Sequence, residues 1–248
     1  MRPERSTILV IAGTREAHAL LTALQMRRRN VVACLAEPAR GVDNLPVPAR
    51  LGAFDTTTEL ADWMAGHDVT TVIDAAHAFD TQTSAMAQAV CARQMLRYLR
   101  VLRPPWTKTI KDRWQYVSSV AVAARSVPDT ARVFANTGRA TLLDYANFSG
   151  ERLFMRQTQR AQTPPSPGFV EFVYGMPPFT QFQEQATFED LSITHLICRN
   201  IGGAASMSKL LAAREMQLPV IMVSRGNLPD HLAHVETVRD ALAWEANP

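Results

Sequence analysis

Thr7-Ile8-Leu9-Val10-Ile11-Ala12-Gly13-Thr14-Arg15-Glu16 is the stretch whose reading decides the fold. Residues 7–11 form an uninterrupted apolar and β-branched run, the pattern of a strand covered on both faces in a parallel sheet. A glycine turn ends it. Beyond the turn Ala17, Leu20, Leu21 and Leu24 recur at helical spacing. Arg27 to Arg29, near the end of that helix, suit the negative pole of its dipole.

The alternation continues outward from this unit. Val31 to Leu35 reads as a second strand, and residues 36–54, rich in Pro, Gly and Ala, as a long connection. Asp55 is placed to cap a helix through Glu59 and Met64. Val69 to Ile73 is another fully apolar strand, followed by a helix over about residues 81–93 and a strand from Leu96 to Leu102. Strands alternating with amphipathic helices predict an α/β fold, a doubly wound and mostly parallel sheet. Arg103-Pro104-Pro105-Trp106 breaks the pattern, so two domains are expected, 1–108 and 109–248. In the second, strands are predicted at 114–117, 132–135, 195–198 and 220–223, and helices at 119–126, 180–191, 207–216 and 232–244. A further helix opens at Asn136-Thr137-Gly138-Arg139, and residues 161–168 form a proline-rich loop.

Composition narrows the function classes. The chain has 248 residues, 47% hydrophobic and 20% charged, which is ordinary for a globular protein and long enough for two α/β halves. The net charge of +3 comes from scattered arginines. A nucleic-acid binder concentrates its charge in a stripe or tail, so the basic balance points to an anionic small molecule. Cys34, Cys91 and Cys198 are far apart, each in an apolar run, and are read as buried free thiols. The histidines show no ligand spacing beyond the pair His231 and His234, so no metal is expected. The opening residues contain an apolar run too short for a signal peptide or a membrane span, and a cytoplasmic protein is expected.

In open α/β sheets ligands bind beyond the carboxyl ends of the strands. Four segments fall there. Gly13-Thr14-Arg15-Glu16 offers a close backbone approach and free helix amides to a phosphate, and serves equally as a plain tight turn. Asp74-Ala75-Ala76-His77 places a polar pair past an apolar strand, although a lone histidine is more often structural. Asn136-Thr137-Gly138-Arg139 suits an anion or a turn with a solvated arginine. Asn200-Ile201-Gly202-Gly203-Ala204, with Lys209 in the next helix, leaves room for a ligand against backbone amides.

These segments together resemble the precorrin-6A reductase family, which includes the cobalt-precorrin-6A reductases. The resemblance rests on GTREA at 13–17, DAAHAF at 74–79, RYLRVLRPPW at 97–106, TGR at 137–139 and RNIGGAASMSKLLAAREMQLPVIMVSR at 199–225. It implies two Rossmann-like, three-layer domains with a cleft between them. It also implies NADPH-dependent reduction of a double bond of precorrin-6A to give precorrin-6B in cobalamin biosynthesis, with NADH as the other possible donor. Gly13, Thr14, Arg15, Glu16, Asn200, Gly202, Gly203, Ala204 and Lys209 are then expected at the cofactor. Arg40 near the end of the second strand is placed for a 2′-phosphate, with Glu37 opposing it. The substrate is expected to be a polycarboxylate corrin precursor, met by Ser84, Arg100, Arg103, Gly138 and Arg139. His77 is the candidate proton donor. The chain departs from the family pattern at Ala76, Ala78, Arg199, Ile201 and Gly226, where threonine, proline, lysine, serine and proline are usual. The chain is expected to act as a monomer, without nucleic acid or membrane. The alternatives on the same scaffold are a methyltransferase with a nucleoside cofactor and a non-catalytic nucleotide- or tetrapyrrole-binding module.

Overall fold

A computed structural model describes residues 6–36, 45–158, 167–229 and 231–247. The chain begins with β1 (Thr7–Ile11), α1 (Arg15–Met26), β2 (Asn30–Leu35), β3 (Ala49–Leu51) and α2 (Thr57–Gly66). It continues through β4 (Val69–Asp74), α3 (Thr81–Gln94) and β5 (Arg97–Val101). Then come β6 (Trp114–Val117), α4 (Val120–Arg125), β7 (Arg132–Ala135), a 3-10 helix at Arg139–Tyr145, β8 (Arg152–Gln157) and β9 (Val170–Tyr174). The remainder is α5 (Gln181–Asp190), β10 (His195–Arg199), a 3-10 turn at Ala204–Ser206, α6 (Ser208–Glu215), β11 (Val220–Val223), β12 (His234–Val235) and α7 (Val238–Ala246).

The chain divides into two compact units. Unit 1 is Met1–Pro104 with Asn227–Pro248, and unit 2 is Pro105–Gly226. Unit 1 has a six-stranded sheet in the order β12-β5-β4-β1-β2-β3, and unit 2 one in the order β6-β11-β10-β7-β8-β9. The paired strands run parallel throughout. Each order is that of a Rossmann sheet, with its switch point between β1 and β4 or between β7 and β10.

The sixth place in each sheet is filled out of chain order. After β5 the chain leaves unit 1 and lays β6 at the edge of unit 2. After β11 it returns, and β12 pairs with β5. The expected second domain of 109–248 is therefore corrected: residues 227–248 belong with unit 1. There α7 buries Ala241 against the α1 side of the sheet, beside Leu242 and Trp244.

The core of unit 1 follows strand alternation. Ile8 and Val10 face Leu20, Leu21 and Leu24 of α1, whereas Leu9 and Ile11 face Leu60, Met64 and Val90 of α2 and α3. The largest described core of unit 2 gathers Trp106, Trp114, Phe134, Phe154, Phe188 and Leu210. All three cysteines are free and buried. Burial first, then the charge of Asp74, pushes the thiols of Cys34 and Cys91 up to about 12.

Local readings are corrected at several points. Thr56, not Asp55, caps α2, its side chain accepting the amide of Glu59. The turn at Asn136–Arg139 opens a 3-10 helix rather than an α-helix. Residues 232–244 contain β12 before the final helix. β3, β8 and β9 were not anticipated. No helix among the described residues is long and apolar enough to cross a membrane.

Candidate functional site

At the unit 1 switch point the glycine turn and the Asp74 loop are packed on each other. A Cβ on Gly13 would lie 2.8 Å from the backbone nitrogen of His77. Thr14 caps α1 by accepting the amide of Ala17, and its hydroxyl donates to the Ala75 carbonyl at 2.9 Å. A helix leaves its first amides without internal acceptors. With Ala17 satisfied by Thr14, the amides of Arg15 and Glu16 supply the positive pole of α1. Arg103 donates to Oε1 of Glu16 at 3.2 Å, while Oε2 is buried without a hydrogen-bond partner.

Asp74 is fully buried at the end of β4. Its carboxylate receives Arg100 from β5, the Tyr98 hydroxyl at 2.7 Å and the amide of Ala76 at 3.0 Å. Burial first, then the adjacent Asp74 charge, pushes the Tyr98 phenol up, so it stays a donor. Arg100, 3% exposed, also donates to the carbonyls of Ala76 and His77 at 3.2 and 3.3 Å. The fork of Arg100, expected at the substrate, is engaged inside the protein, where it shapes the loop that carries His77. The loop presents His77 with Nδ1 accepting the amide of Phe79 at 3.2 Å, so in the neutral ring the proton sits on Nε2. Ser84, in the first turns of α3, has its hydroxyl oxygen buried without a partner.

At the unit 2 switch point Asn200 follows β10 and is 4% exposed. Its amide accepts from the Trp106 nitrogen at 2.8 Å and donates to the Trp106 carbonyl at 2.9 Å. The Trp106 indole donates to the Gly203 carbonyl at 2.9 Å. Gly202 and Gly203 hold φ of 70° and 84°, which residues with a Cβ rarely adopt. Lys209 donates Nζ to the Ser206 carbonyl at 2.5 Å and lies 5.4 Å from the Trp106 ring centroid. The side chains of Asn200 and Lys209 are turned inward and fix a glycine loop, whose backbone and exposed Ala204 remain to meet a ligand.

Beside this loop, Gly138 takes φ of 87°, and buried Thr137 shares hydrogen bonds with Tyr145 and Thr141. Arg139 lies over the Phe172 ring with Nη2 buried and without a hydrogen-bond partner. Arg40 lies outside the described residues. Spacing along the sequence gives no sign of the Arg156–Glu184 ion pair, at 2.5 Å and almost fully buried. Burial first, against the opposing charge of Arg156, pushes the Glu184 carboxyl up. Nor does spacing mark Gln157, buried at the end of β8. Among the described residues no cluster of three metal-ligating side chains occurs.

Comparison with known proteins places this geometry. Residues 7–246 match the family described as Precorrin-6x reductase CbiJ/CobK. The chain is 33% identical over 239 residues to a precorrin-6A reductase of Rhodobacter capsulatus, covering 95% of each chain. It is 31% identical to one of Rhodococcus erythropolis, covering 96% of each. A cobalt-precorrin-6A reductase of Priestia megaterium is 25% identical, over 88% of this chain and 90% of its own. The solved structure titled CobK precorrin-6A reductase superposes with a TM-score of 0.89 at 31% identity, covering 98% of this chain and 97% of that one. By sequence over nearly its whole length and by fold, the chain belongs to the precorrin-6x reductase CbiJ/CobK family.

Proposed function

We propose that this chain is a precorrin-6A reductase of cobalamin biosynthesis, reducing one double bond of precorrin-6A to give precorrin-6B with NADPH. One observation carries the reading: the chain runs nearly the full length of precorrin-6A reductases and keeps a built loop at each Rossmann switch point.

The residues fit a dinucleotide. Gly13 and the amides of Arg15 and Glu16 form a phosphate-accepting helix start. The buried, unpartnered Oε2 of Glu16 is an acceptor for a hydroxyl or carboxamide N–H, and a nicotinamide dinucleotide carries both. Gly202 and Gly203 give a second ligand close access to backbone. When bound, the reduced nicotinamide supplies the hydride. The protein's own part is to position and to set charge. Arg139, with Nη2 unpartnered, offers a donor to a substrate carboxylate, and Arg103, paired with Glu16, adds positive charge. His77 presents Nε2–H as a hydrogen-bond donor at the end of a loop that Asp74 and Arg100 hold. Its neutral form cannot also release a proton from Nδ1, which accepts from Phe79.

Fluorescence titration of the purified chain with NADPH, NADH and S-adenosylmethionine tests the cofactor. Selective NADPH binding is expected. Preference for S-adenosylmethionine, or no nucleotide binding, would overturn the assignment.

A further inference from the structure

Among the buried donors without a hydrogen-bond partner at the carboxyl edge of the second sheet are one on Gln157 and one on Arg139. Gln157, the last residue of β8, is 6% exposed, and its Nε2 makes no hydrogen bond. Arg139 Nη2 is in the same condition, with the guanidinium carbon 5.2 Å from the Phe172 centroid. The strand register brings the two donors to one corner. Met155 pairs with Phe172 and Gln157 with Tyr174, and alternate residues of a strand share a face. Gln157 and the Phe172 ring, with Arg139 over it, therefore lie on the same side of the sheet. Arg156, between Met155 and Gln157, points to the opposite side, where it engages Glu184. The buried acid of this region is thus committed elsewhere.

A buried donor without an acceptor opposes folding, and native proteins keep few of them. Here two occur together at the end of a parallel sheet where ligands bind. Both are donors, one a forked cation and one an amide, so the group that completes them is an oxyanion.

We propose that Arg139 and Gln157, set against the ring of Phe172, form an oxyanion subsite in unit 2 that takes a carboxylate or phosphate group of a ligand. The identity of that ligand rests on the functional reading above, which supplies both chemistries: carboxylates on the corrin precursor and phosphates on the cofactor. The anion chemistry itself does not rest on it.

The test combines two measurements on the full chain and on Gln157→Leu and Arg139→Met. In the first, tricarballylate and pyrophosphate are added during thermal denaturation. At least one is expected to raise the melting temperature of the wild type and to do so much less in both variants. No effect on the wild type, or an equal effect in all three, overturns the subsite. Without ligand, Gln157→Leu is expected to melt at or above the wild-type temperature, because it removes an unpartnered amide. A lower value would mean that the amide has a structural role and would overturn the proposal. Gln157→Glu keeps the shape of the side chain and adds negative charge beside Arg139, so it is expected to lose anion binding as well. The second measurement is kinetic. A KM for precorrin-6A raised roughly ten- to a hundredfold in Gln157→Leu, with NADPH dissociation unchanged, assigns the subsite to a substrate carboxylate. The reverse pattern assigns it to a cofactor phosphate, and no change in either overturns it. If the wild type reduces no precorrin-6A, the functional reading falls while the anion titration still decides the subsite.

Discussion

A methyl group added at position 13 would press on the backbone of the neighbouring loop, 2.8 Å from the nitrogen of His77, where no flexible side chain can give way. Gly13→Ala is therefore expected to cost about 1–3 kcal/mol, read as a lower melting temperature, and to displace His77. Arg100→Leu would leave the carboxylate of Asp74 buried with its cation gone. Its expected cost is about 3–5 kcal/mol by urea unfolding. A variant with wild-type stability would show that the pair does not hold the loop. At this scale the sequence placed the loops at strand ends but not which of their atoms are committed. Thr14 donates to Ala75, 61 residues away, and Asn200 grips Trp106, 94 residues away. Spacing along a chain carries no signal for such partners. The side chains of Arg100, Asn200 and Lys209, expected at ligands, also make internal hydrogen bonds that the sequence does not signal.

Among the elements, β1 and the turn after it were legible because five consecutive residues are buried from both sides. β8 was not, since Arg152-Leu153-Phe154-Met155-Arg156-Gln157 has arginines at its first and fifth positions. The strand tolerates Arg156 because Glu184 from α5 neutralises it and the rings of Phe134 and Phe179 sandwich it. A tertiary ion pair thus overrides the local pattern. A second pair, Asp112 with Arg214, ties the segment before β6 to α6 at 2.9 and 3.0 Å. Burial raises the Asp112 carboxyl, but the bonds from Arg214 and Thr109 outweigh it and hold the group below its usual value. A carboxyl lowered by folding contributes stability that is present above the unfolded carboxylate range and lost as pH falls through the folded value. Asp112→Asn is expected to be less stable near neutrality and to lose less stability on acidification. Urea midpoints at neutral and acid pH measure both; identical pH slopes would contradict the assignment.

For the whole molecule, the sequence showed two alternating α/β halves but not that their sixth strands are exchanged. Strand β12 is only two residues long, His234 and Val235, too short for periodicity to register. Its placement depends on backbone pairing, with Arg100 donating to the Ala233 carbonyl and Leu102 to that of Val235. The segment is held further by Arg29 on Glu245 at 2.8 Å and by Arg97 over the Trp244 ring. Ending the chain after Gly226 would expose the edge of β5 and the apolar side of α1. A melting temperature lower by on the order of 10 °C is expected, with NADPH binding weakened through the unit 1 loops. Unchanged stability would show that residues 227–248 are dispensable to unit 1.

An anaerobic incubation of the purified chain with precorrin-6A and NADPH tests the proposed reduction itself. Reduced-nicotinamide absorbance and the product mass are followed together. One NADPH oxidised per corrin precursor consumed is expected, with a product heavier by two hydrogens. NADPH that binds yet stays reduced in the presence of precorrin-6A would contradict it.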